Sequence, residues 1–379
     1  MKLSFKRITA KASFIPEIDG LRFIAITSVI LYHFHHFLAE KDTNQYHDDF
    51  DYSFLHRILE HGFLGVPLFF VISGFILALP FANEHLNNGN KVLLKKYFLK
   101  RLTRLEPPYI IVMTLLLLGS VYVAKTFSIR DGIASYLSSI FYLNNFIYPN
   151  FTSTLNVVTW SLEIEVQFYI LAPLLACVFL IKKASNRRSI LLCIVIMFLI
   201  FNQLYLLAYL SLIKYFQYFI IGFLLADLYV SNYQLLPKTK IDYLIGLFLF
   251  CFIWLFGVND FNSIYSRIIF ELAQLSCIFL FYYYVLFHKI FRFLSFKLIT
   301  NIGGMCYSIY LLHYPIISLI GNNILNYTFS KYSYINTFIY ISILIFAIGI
   351  ISSCFFLLIE RPCMDKDWYK KITRRIVGT

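Results

Sequence analysis

Ten stretches of largely apolar residues follow one another along this chain of 379 residues, and no other feature limits its fold as strongly. They lie near 19–38, 62–80, 107–125, 158–181, 189–207, 209–230, 241–257, 267–287, 298–321 and 335–359. Each has the length, roughly 17–25 residues, at which an α-helix crosses the hydrocarbon core of a bilayer. A helix is also one of the two structures that satisfy every backbone polar group without water. The expected fold is therefore all-α, a polytopic integral membrane protein with about ten transmembrane helices. A composition of 59% hydrophobic and 14% charged residues excludes an ordinary soluble domain.

A net charge of +13 would suit a nucleic-acid partner, but the basic residues fall in short loops and read as topology signals instead. Taking alternate loops as cytoplasmic places most of the 33 Lys and Arg residues inside. Among them are Lys2, Lys6, Arg7 and Lys11, the run from Lys91 to Arg104, Lys182 to Arg188, and Lys366 to Arg375. The first outer loop is acidic, with Glu40, Asp42, Asp48, Asp49, Asp51 and Glu60. Both termini are thus expected in the cytoplasm. The segment 126–157 is the longest outer one, and its semi-apolar character fits either a cover on the membrane surface or a plain connector. The seven cysteines form no C-x-x-C pair and read as buried small hydrophobes, with no metal expected. No cleavable signal pattern opens the chain and no extracytoplasmic domain follows the last span, so residues 1–379 are expected to form a single membrane domain.

Several ionisable residues sit inside the spans, where each is costly and marks a functional site by default. Arg22 and His33 share the first. Eleven helical steps end about 20° past three full turns, which puts both side chains on one face about 16 Å apart. Asp19, three positions before Arg22, can form a local ion pair. His33, His35 and His36 fan over different faces, which argues against a metal site. Arg101 and Arg104 stand one turn apart ahead of Pro107 and Pro108, and two guanidiniums so placed suit phosphate. Glu163 and Glu165 open the fourth span, with Ser161, Glu165 and Tyr169 on one face. Gly65, Ser73 and Gly74 in FLGVPLFFVISGF read as helix-packing residues. His313 and Glu271 are further intramembrane ionisable residues, Glu271 with no motif around it.

In this order the segments resemble the acyltransferase-3 family of bacterial membrane O-acyltransferases, from Ile15 to Pro362. The marks are Arg22 with His33 after ten intervening residues, Arg101-Leu-Thr-Arg104 followed by prolines, and Trp160-Ser-Leu with Glu165 and Phe168-Tyr169. GVPLFFVISGF, YSIYLLHYPI and Glu360-Arg361-Pro362 match as well. Glu106 interrupts the run between the arginines and the prolines. Glu163 occupies a position that varies, and neither carries over as catalytic. The expectation is a stand-alone member, without the fused hydrolase-like domain of many others.

The resemblance implies acyl transfer, usually acetyl from acetyl-CoA but open to another acyl-CoA, onto a hydroxyl of a carbohydrate or lipid-linked glycan acceptor. It implies a place in the bacterial cytoplasmic membrane and a role in modifying the cell envelope. Arg101 and Arg104, with Arg22, would bind the phosphates of the donor. His33 would act as general base, an imidazole having an ordinary pKa near 6.5, or as a covalent acyl relay. Glu165 would orient it. The rival reading is a transporter or flippase, which also uses buried Arg, His and Glu, but matched half-repeats of the kind transporters show are not seen here. Oligomeric state and acceptor identity are not legible.

Overall fold

The computed structural model describes residues 5, 7, 8, 14–41, 54–149, 154–205 and 210–365. The four aspartates of the acidic loop, the lysines before Ile15 and the basic residues from Lys366 onward lie outside the described residues. Among the described residues the structure is helical, without strands, so the all-α expectation holds. Eight helices are long and apolar enough to cross a membrane, or nine if one bent pair counts as a single span.

The two remaining predicted spans show where hydropathy overstates regularity. The stretch 298–321 is two helices, Lys297–Gly304 and Cys306–Ile324, set at 69° to each other. The break falls at Met305, just after Gly303-Gly304, where helix propensity is lowest. The stretch 241–257 holds a helix of only 14 residues, Asp242–Leu255, because the chain turns extended at Phe256.

The chain divides into two compact units, Pro16–Val92 with Trp160–Ile299, and Met1–Ile15 with Leu93–Thr159 and Thr300–Thr379. The first contains α1 (Pro16–Lys41), α2 (Phe54–Glu60), α3 (Gly65–Leu86), α7 (Trp160–Leu175), α8 (Ala184–Tyr205), α9 (Leu212–Val230), α10 (Asp242–Leu255) and α11 (Ile264–Tyr283). The second contains α4 (Leu94–Leu118), α5 (Ile129–Ile140), α6 (Asn144–Ile147), α13 (Cys306–Ile324), α14 (Ser333–Phe355) and α15 (Arg361–Cys363). The helix α12 (Lys297–Gly304) begins at the boundary.

The centre of the first unit is the pairing of α3 with α9. Gly74 faces the carbonyl of Phe219, and Gly222 faces that of Val71, so closely that a Cβ on either would collide with main chain. Small residues at a helix crossing give this approach in a bilayer, where packing and not water exclusion drives association. Phe168 and Phe70 stack on Phe219 beside the crossing, at centroid distances of 4.0 and 4.7 Å. Burial follows the same pattern. The most apolar window of α9 is 78% buried, against 22% for that of α8, whose outer side carries Leu192, Ile196 and Ile200.

The first unit also sequesters an ionic cluster. Asp227 is fully buried and is bonded by the Nε atoms of both Arg187 and Arg188, the second at 2.7 Å. Arg187 also donates to the Ile181 carbonyl at 2.6 Å, and Arg188 lies 4.1 Å from the Tyr233 ring centroid. Two of the basic residues read as topology signals therefore also anchor α8 to α9.

In the second unit, the described part of the segment 126–157 contains the helices α5 and α6. Its helix α5 starts at Ser128, whose Oγ caps the Asp131 amide. Ser135, Ser138 and Ser139 are buried, while Ile129, Ile133 and Leu137 are exposed. Apolar residues outward and polar residues inward is the arrangement of a helix lying along a lipid surface.

Candidate functional site

Within the first unit, α1 carries two of the predicted site residues. Arg22 is buried and its Nη1 donates to Asp19 Oδ1 at 2.8 Å, the ion pair that the i, i+3 spacing predicts. His33 is half-buried, with its ring 5.2 Å from that of Tyr32. Tyr32 also meets His36 at 4.3 Å and Phe63 at 5.9 Å. The Ser28 hydroxyl donates to the Gly62 carbonyl at 2.5 Å. These contacts fix the His33 end of α1 against the chain that enters α3.

Glu165 lies one turn into α7. Its Oε1 accepts hydrogen bonds from Ser73 Oγ of α3 at 2.5 Å and from the Tyr169 hydroxyl at 2.6 Å. The Tyr169 contact follows from the shared helix face. The Ser73 contact brings a residue read as a packing element onto the carboxylate. Two hydroxyl donors on one oxygen fix the orientation of the Glu165 carboxyl group. Glu163, which points to another face, is completely buried. Glu271 also has a setting that its lack of motif concealed, since Gln203 Nε2 and Gln217 Nε2 donate to its two oxygens at 2.6 and 3.1 Å.

In the second unit, α4 presents Arg101 and Arg104 one turn apart, but their guanidiniums have different neighbours. Arg101 lies 3.7 Å over the Tyr97 ring and donates to the Tyr97 carbonyl at 3.0 Å. Arg104 Nη2 is 4.0 Å from Glu360 Oε1. Glu360 is fully buried, and its Oε2 accepts from the amide and hydroxyl of Ser308 at 3.0 and 2.5 Å. A π-helical turn, Phe356–Glu360, places this carboxylate at the end of α14. Three separate sequence segments, RLTR, YSIYLLHYPI and ERP, thus converge on one anion, which keeps Arg104 oriented and partly open to solvent. The Tyr307 hydroxyl adds a bond to the Leu105 carbonyl at 3.0 Å.

His313 is fully buried in α13, with Nδ1 at 2.8 Å from the Tyr310 carbonyl and 3.1 Å from that of Ile309. A carbonyl only accepts, so Nδ1 carries the proton and Nε2 is the basic nitrogen. Glu106, the interruption before the prolines, accepts from the Tyr142 hydroxyl at 2.7 Å.

Helices long enough to span a bilayer, with an Arg–Asp pair, a half-buried histidine and carboxylates held by hydroxyls inside them, define a polytopic membrane protein with a chemically equipped interior. The chain belongs to the acyltransferase-3 family: that family's profile, described as an acyltransferase domain, matches residues 15–358. The O-acetyltransferase OatA of Staphylococcus aureus strain NCTC 8325 is 26% identical over 372 residues, covering 87% of this chain and 55% of that protein. A second protein, of S. aureus strain COL, whose name assigns it provisionally to the O-acetyltransferases, is 31% identical over 183 residues. That match covers 46% of this chain and 27% of the relative. The chain thus spans about half the length, or less, of these curated relatives. No solved structure matches it.

Proposed function

We propose that this protein is an O-acyltransferase of the bacterial cytoplasmic membrane. It moves an acyl group, acetyl from acetyl-CoA or the acyl group of another acyl-CoA, to a hydroxyl of a cell-surface carbohydrate or its lipid-linked precursor. The observation that carries this reading is His33, a half-buried imidazole inside an apolar helix that also holds Arg22. Both termini lie in the cytoplasm on this reading, and His33 sits in the outer half of its span.

His33 takes the proton of the acceptor hydroxyl as the oxygen attacks the thioester carbonyl. The C–S bond breaks, and the imidazolium returns the proton to the departing thiolate. In the covalent variant the imidazole nitrogen takes the acyl group first and passes it to the hydroxyl. Glu165, held in place by Ser73 and Tyr169, orients the imidazole and offers it a carboxylate partner. Arg101 and Arg104 provide guanidinium donors for the donor's phosphates, and Arg22 a further cation.

The test is acyl transfer from radiolabelled acetyl-CoA in membranes carrying the protein, beside His33→Ala and Arg104→Ala forms of equal abundance. Label entering a glycan fraction, absent with His33→Ala and restored toward normal by excess donor with Arg104→Ala, is the expected result. Equal labelling in all three removes both residues from the reaction.

A further inference from the structure

The first unit holds a second polar site that none of the catalytic roles above uses. A cavity of ≈ 320 Å³ lies among the ends of α3, α7, α8, α9 and α11, at the lower end of the usual range of small-molecule sites, roughly 300–1,000 Å³. Its walls combine Trp160 and Tyr215, whose rings are 5.4 Å apart, with the amides of Asn202, Gln203 and Gln217 and the carboxylate of Glu271. Lys214 and Arg267 line it as well.

The hydrogen bonding shows which way the amides point. Glu271 accepts from the NH2 groups of both Gln203 and Gln217, and Gln217 Oε1 in turn accepts from Asn202 Nδ2 at 3.2 Å. Each side-chain NH2 is thereby committed to the protein. The oxygens left over are Gln203 Oε1 and Asn202 Oδ1, both buried and without a hydrogen-bond partner among the described residues. The two residues are only 8% and 9% exposed. Arg267 Nε is likewise buried without a partner. Unmet polar atoms in a buried wall are unusual and point to a ligand that completes them. Two fixed acceptors call for hydroxyl donors, an aromatic pair offers a flat face to an apolar ring edge, and two cations beside one already bonded carboxylate leave the cavity positive.

We infer that this cavity binds one carbohydrate unit bearing an acidic group, its hydroxyls on Asn202 and Gln203 and its carboxylate or phosphate toward Lys214 and Arg267. The inference rests on the acyl-transfer reading for its role as acceptor subsite. Ring contacts link the two, because Phe63 lines the cavity and meets Tyr32, whose ring also meets His33. Glu271 is here a positioning residue: its charge holds both glutamines in one amide orientation.

Isothermal titration of the purified full-length protein with glucose, N-acetylglucosamine, glucuronate and galacturonate tests this. Uronates should bind at least tenfold more tightly than the neutral sugars. Lys214→Ala should abolish that preference while leaving neutral-sugar affinity in place. Glu271→Gln should weaken every sugar tenfold or more, with the unliganded melting temperature showing that it folds. No heat from any of the four sugars, or unchanged affinities and preference in both variants, overturns the proposal. The radiolabel assay run in parallel separates the two readings. Transfer that proceeds without sugar binding at this cavity removes the subsite alone, whereas binding without transfer removes the acyltransferase reading alone.

Discussion

The two units solve the problem of polar groups in an apolar interior differently. In the first, carboxylates are met by side chains: half-buried Glu165 by Ser73 and Tyr169, buried Glu271 by two glutamines, buried Asp227 by two arginines. In the second, tyrosine hydroxyls close on main-chain carbonyls, Tyr109 on Ser139, Tyr307 on Leu105 and Tyr310 on Val158. Each solution has exceptions, Tyr282 on the Leu68 carbonyl and Tyr283 on the Leu236 carbonyl in the first, Glu360 with Ser308 and Glu106 with Tyr142 in the second. A side-chain pair can be retuned by substitution and can change protonation or partner during a reaction. A hydroxyl on a carbonyl staples two segments and does little else. Substitutions at the Glu165 site of the first unit are therefore expected to change chemistry, whereas those at the tyrosine staples of the second change stability alone.

The largest effect expected from this contrast is that of His33→Ala, a loss of about 10²-fold or more in acyl transfer per folded molecule, measured with labelled donor in membranes. Retained transfer would break the assignment of the reaction to the first unit. Next comes Asp227→Ala, which leaves Arg187 and Arg188 without their buried counter-charge. A cost of about 3–5 kcal/mol is expected, read as loss of folded protein in a detergent melt. Gly222→Val would force α9 away from the Val71 carbonyl and cost about 1–3 kcal/mol, seen in the same melt.

The finest comparison uses one substitution twice. Tyr169→Phe removes a hydroxyl from Glu165 and should lower transfer about tenfold or more, a hydrogen bond to a charged group being worth about 1.5–3 kcal/mol, with little change in abundance. Tyr310→Phe removes a hydroxyl from the Val158 carbonyl and should lower the melting temperature by the equivalent of about 0.5–1.5 kcal/mol, leaving transfer per molecule unchanged. If the two variants behave alike, the division between the units has no functional meaning.

Local spacing made part of this legible beforehand. Asp19 with Arg22 and Glu165 with Tyr169 are neighbours on a helix, and a 3.6-residue period reveals them. Ser73 on Glu165 spans 92 positions, and Ser308 on Glu360 spans 52. No local pattern records such contacts, so Ser73 read as packing and the anchor of Arg104 went unnoticed. Hydropathy located all the long helices but treated the bend at Met305 and the early stop at Leu255 as continuous, because window averages do not register a break of one or two residues. The amide cluster around Glu271 did leave a trace, Asn202, Gln203 and Gln217 inside otherwise apolar helices, which a search for carboxylates and histidines passes over.

The brevity of α10 has a consequence for the surrounding lipid. Fourteen helical residues extend only about 21 Å, some 9 Å less than the ~30 Å of a typical hydrocarbon core. Its first residue, Asp242, is tethered by Thr239 and by His288 Nδ1 at 2.7 Å, so the helix cannot slide to share the deficit evenly. If α10 crosses the bilayer, as the hydropathy of 241–257 predicts, acyl chains next to it must compress, at a cost of a fraction of a kcal/mol per ångström. The slab separating the two aqueous phases is then thinnest beside α10, and bilayer thickness becomes a variable to which this protein responds.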